Sequence, residues 1–125
     1  MKNANIANIR TDVNDLFAHW VALTQPMHQL RDAESKILLA FLRKRFELSK
    51  DILREDILDQ ILFSTEVRRE IMDSLGHKMG TFQNYLSAMR AKGVISESGI
   101  NPKLIPNIEH GAGNFKLIFN FIING

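Results

Sequence analysis

Cysteine is absent from the 125 residues, which excludes disulfides and thiolate metal sites and leaves the compartment open. No run of about 18 apolar residues occurs, so a membrane span is not expected. Met1-Lys2-Asn3-Ala4-Asn5 lacks the apolar core of a secretory signal, and a cytoplasmic protein is the expectation. The four histidines, His19, His28, His77 and His110, are scattered with no His-x-x-x-His pair, which argues against zinc. Gly111-Ala112-Gly113 is not followed by Gly-Lys-Ser/Thr, so it is a turn and not a phosphate loop. No nucleophile–base pair is evident. The expectation is a non-enzyme with no cofactor and no metal.

The most informative absence is local. The chain has 14 acidic residues, yet none lies between Ser74 and Ser96. Lys78, Arg90 and Lys92 give that window a formal +3, more than the +2 of the whole molecule. A net +2 is weak support for nucleic-acid binding; the clustering carries the weight.

Length and composition suit one domain with a real core, 45% of residues being hydrophobic and 24% charged. Residues 1–10 read as a polar arm and 11–62 as N-terminal helices. Thr11 or Asp12 caps a helix with Val13, Leu16, Phe17, Trp20 and Leu23 on one face, and Pro26 ends it. Asp32 opens a second helix striped by Ala33, Ile37, Leu38, Phe41 and Leu42, with Arg43-Lys44-Arg45 at its negative end. Ser49 reads as the cap of a third, with Ile52, Leu53, Ile57, Ile61 and Leu62 inward. Asp51, Glu55 and Asp59 would then form a solvated stripe, with Asp56 beside it.

Ser64 or Thr65 caps the next helix, where Val67, Ile71 and Leu75 recur at fours and Gly76 suits the C′ position. Arg68 and Arg69 alternate there with Glu66, Glu70 and Asp73, an arrangement read as an exposed structural face. On a wheel of about 100° per residue, Phe82, Tyr85, Leu86 and Met89 share one arc of residues 81–92. Gln83, Asn84, Ser87 and Arg90 fall outside it, and Gly93 stops the helix. Beyond Val94-Ile95, the Gly-rich turn 109–114 precedes an alternating run, Phe115 to Ile122, that reads as a strand.

The order of elements resembles a winged helix-turn-helix domain, mainly α with a small C-terminal β-hairpin. Val67-Arg68-Arg69-Glu70-Ile71, Leu75-Gly76, Thr81-Phe82-Gln83-Asn84-Tyr85-Leu86 and Met89-Arg90-Ala91-Lys92-Gly93-Val94-Ile95 carry the likeness. The pattern, with Asn101-Pro102-Lys103-Leu104, is also similar to small phage and plasmid replication or regulatory proteins. The resemblance implies a helix-turn-helix over 65–92 and a wing over 94–123. It implies double-stranded DNA as partner, in transcription regulation or replication, with residues 81–92 in the major groove.

The residue types then divide by role. Lys78 and Thr81 suit phosphate near a helix N-terminus. Gln83, Asn84 and Ser87 suit base edges, and Arg90 suits guanine or phosphate. Arg90 and Lys92 serve equally well as partners of the helix dipole. Homodimerisation is expected through residues 12–24, with Phe17 and Trp20. The alternative is a protein–protein assembly module, as in a phage particle or replisome, since folds do not fix functions.

Overall fold

The computed structural model describes residues 5–125; the first four positions of the expected arm lie outside the described residues. Asp12 begins the first helix by accepting from the Asp15 N–H at 2.8 Å, and α1 runs Val13–Leu23. Pro26 sits in the first turn of a short α2, Gln25–His28, where its missing N–H costs nothing. The central helix α3, Asp32–Leu48, packs against α1, α4 (Glu55–Leu62), α5 (Thr65–Leu75) and α6 (Met79–Ala91). Its Ile37, Leu38, Phe41 and Leu42 are buried at the middle of the core. Phe63 stacks on Phe41 at 4.8 Å between ring centroids. The architecture is mainly helical, with one small antiparallel hairpin after the helices.

Three local expectations are corrected. Asp32 is not the cap of α3: Glu34 reaches back to the Arg31 N–H at 2.9 Å, while Asp32 pairs with Lys36 at 3.4 Å. Ser49 closes α3 and opens nothing, because its hydroxyl donates to the Phe46 carbonyl at 2.6 Å. The chain then turns, and α4 starts at Glu55, where Glu55 and Asp56 complement the helix dipole. Leu53 is therefore 90% exposed, and Leu58 rather than Ile57 faces the core beside Leu62. Nor is Asp59 part of a solvated stripe. Its carboxylate accepts from Arg45 Nε at 3.2 Å, with both side chains largely shielded.

The larger correction concerns the wing. The hairpin is β1, Ile95–Ser96, against β2, Gly99–Ile100, turning through Glu97-Ser98. Gly99 has φ +128°, and a Cβ there would lie 2.9 Å from the Asp59 carboxyl carbon, so only glycine lets β2 seat on α4. Phe115–Ile122 forms no strand. β1 and β2 satisfy each other, and the following segment is drawn back across α1 by Trp20 Nε1 donating to the Leu104 carbonyl at 2.8 Å. The Gly-rich turn is not a free wing tip either. His110 stacks on Phe46 at 4.0 Å and meets the Ser49 hydroxyl at 2.7 Å, which fastens the turn to the end of α3.

Candidate nucleic-acid interface

Helices α5 and α6 are joined by a short turn whose geometry follows from local chemistry. Ser64 caps α5 by accepting from the Val67 N–H at 3.4 Å. Gly76, at φ +72°, ends α5, with its N–H on the Asp73 carbonyl and the His77 N–H on the Met72 carbonyl. The turn is short. Lys78 is already the N-cap position, and Met79 and Gly80 lie in the first turn of α6. That first turn has no acidic residue and no side-chain cap, so its free N–H groups face solvent or a ligand.

The inner face of α6 buries Phe82, Leu86 and Met89, with Tyr85 half-buried and tilted against His77 at 5.3 Å. The outer face exposes Lys78, Thr81, Gln83, Asn84, Ser87 and Arg90. At 13 residues α6 is about 20 Å long, enough to lie in a groove some 12 Å wide.

Lys92 belongs elsewhere. Its ammonium donates to Glu34 Oε1 at 2.8 Å and to the Gln29 carbonyl at 3.2 Å, joining the end of α6 to the start of α3. Glu34 is only 2% exposed. Burial alone would push its carboxyl up, but hydrogen bonds from Lys92 and the Arg31 N–H, with the charges of Lys92 and Arg31, hold it below its ordinary value. The sequence offered one hint, a Glu at the third position of α3, the place from which it can reach back to the cap.

The expected dimer contacts Phe17 and Trp20 are both buried inside the monomer, Phe17 against Phe46 and Trp20 against Phe115. Helix α1 keeps only Val13 and Leu23 as exposed large apolar side chains. Arg68, expected on an exposed structural face, is instead half-buried, with its Nε shielded from solvent and without a partner among the described residues. No local signal separates it from the exposed Arg69. Among the described residues, no cluster of three or more His, Asp or Glu stands close enough to hold a metal ion, and no helix is long and apolar enough to cross a membrane. Compared with known proteins, the chain matches no family model, no curated protein and no solved structure.

Proposed function

We propose that the α5–α6 pair is a DNA-binding helix-turn-helix, with the Ile95–Ile100 hairpin as a much reduced wing, and that it serves transcription regulation or replication. One observation carries the reading: the outer face of α6 has no acidic residue, and its Lys78 and Arg90 form no ion pair among the described residues. A polar, cationic helix face of this length suits the major groove. Asn84 and Ser87 are the base-edge readers in this account, and Lys78, Thr81 and Arg90 hold phosphate. Lys92 is left out of the set, because its charge is committed to Glu34.

The test is selection on random duplexes with wild type and Asn84→Ala side by side. A direct contact should contribute about 1–3 kcal/mol of discrimination at one base pair. The expected result is a motif whose stringency falls at one position in the variant; identical motifs would remove Asn84 as a reader. A second reading, assembly on a protein partner, draws on residues 118–123. Ile118, Phe121, Ile122 and Ile123 are each more than four-fifths exposed, an apolar run of the kind partners cover. Absence of any enriched motif, with weak binding at physiological salt, would favour that reading.

A further inference from the structure

A crevice of about 40 Å³ lies between α5 and the start of α6. Helical spacing builds it: Thr65, Arg68, Arg69 and Met72 share one side of α5, and Met79, Phe82 and Gln83 one side of α6. The lining thus holds two guanidinium groups, a hydroxyl and an amide, with apolar walls and no carboxylate. Arg68 Nε is buried there with no hydrogen-bond partner. That Nε is shielded from solvent, so an acceptor from outside the chain would meet the terminal guanidinium nitrogens, which form no ion pair among the described residues. Of the acids on α5, Glu70 is engaged elsewhere, pairing with Lys44 at 3.2 Å.

We propose that this crevice is an anion site that takes one backbone phosphate of the bound duplex, with Arg68 as principal donor and Arg69, Thr65 and Gln83 around it. The inference rests on the DNA-binding reading and deepens it, since it adds a phosphate clamp on the supporting helix. The space is several times the ~10–15 Å³ that one water needs, enough for oxygen-sized groups. A guanidinium fork matches phosphate oxygens as an ammonium does not. Gln83 then contributes to positioning and not to base readout, leaving sequence discrimination to residues further along α6.

The experiment observes the arginine Nε–Hε resonances of the ¹⁵N-labelled full chain while inorganic phosphate is added, with chloride at equal ionic strength as control. The Arg68 resonance, assigned by its loss in Arg68→Lys, should move saturably with phosphate and not with chloride, while that of Arg43 stays in place. A short random-sequence duplex should move it further. The salt slope of duplex binding should also fall by about 0.9 in Arg68→Gln, one phosphate contact, on every sequence tested. If Arg68→Gln does not fold, Arg69→Gln and the wild-type titrations carry the test.

Duplex binding without movement of the Arg68 resonance, or movement equal under chloride, would overturn the clamp and leave the DNA reading standing. Movement with phosphate but no duplex binding at any salt would overturn the duplex as occupant together with that reading. A hexaglutamate peptide acting at lower concentration than phosphate would replace phosphate by carboxylate and likewise overturn the proposal.

Discussion

The basic residues of α3 and those of α5–α6 are used in opposite ways. On α3, Lys36 pairs with Asp32, Lys44 with Glu70 and Arg45 with Asp59, while Arg43 holds the Asn14 carbonyl at 2.8 Å. On α5–α6, Arg68, Arg69, Lys78 and Arg90 make no ion pair among the described residues. Local charge density does not distinguish the two regions, since Arg43-Lys44-Arg45 is the densest basic run in the chain. What distinguishes them is whether the fold supplies a partner, from another helix for Lys44 and Arg45 and from the preceding turn of α3 for Lys36. A cation satisfied inside the fold has to break a contact to bind a phosphate, and one left open does not.

The same division runs along α6, and the largest effect belongs to its inner side. Leu86 is fully buried in the core, so Leu86→Ala should lower stability by roughly 2–5 kcal/mol in urea unfolding. A soluble Leu86→Ala protein of unchanged stability that had lost only nucleic-acid binding would make the inner face a stacking surface and break the comparison.

A smaller effect is expected where α6 ends. Lys92→Met leaves the Glu34 carboxylate buried without its main partner, at a cost of about 1–3 kcal/mol. The pH dependence follows from the direction of the Glu34 shift. A carboxyl held lower in the folded state than in the unfolded one contributes stability above the ordinary carboxylate range, and that contribution is lost as pH falls through the folded value. In Lys92→Met, burial dominates and lifts the folded value above the unfolded one, so the sign reverses: the buried carboxylate lowers stability at neutral pH, and the variant should regain part of its deficit as pH falls. Unfolding curves for both proteins between neutral and acidic pH measure this; superimposable pH profiles would return Lys92 to the pool of free cations.

Smallest of all should be the effect of Lys78→Gln or Arg90→Gln on stability, within about 0.5 kcal/mol by the same unfolding assay. A larger loss would mean that these residues hold the fold as the α3 cations do.

The α5–Gly76–α6 unit was legible because each of its determinants is local: the Ser64 cap, apolar residues at fours, a left-handed glycine and the arc of Phe82, Leu86 and Met89. What stayed hidden depends on distant contacts. Lys92 and Glu34 are 58 residues apart, and Trp20 and Leu104 are 84 apart. The alternation of Phe115 to Ile122 is a genuine strand pattern, but a strand needs a neighbour and the fold provides none. The Glu97-Ser98 turn, by contrast, is a weaker signal than the Gly-rich turn, yet it has Gly99 seated against Asp59 to fix it. Among the site residues, Thr81, Gln83, Asn84, Ser87, Lys78 and Arg90 stand on the expected exposed side. The Glu34 partner of Lys92 and the half-burial of Arg68 share one reason for being hidden, since neither is visible without the packing.

The most direct test of the division between bound and open cations is the salt dependence of duplex affinity, measured for wild type, for Lys78→Gln with Arg90→Gln, and for Lys36→Gln as the α3 control. Three phosphate contacts, one in the crevice shared by Arg68 and Arg69 and one each at Lys78 and Arg90, predict a wild-type slope of about −2.7 in log affinity against log salt. The double variant should flatten it by about 1.8, and the control should leave it unchanged. A slope near zero in wild type, or equal flattening by the Lys36→Gln control, would contradict the account.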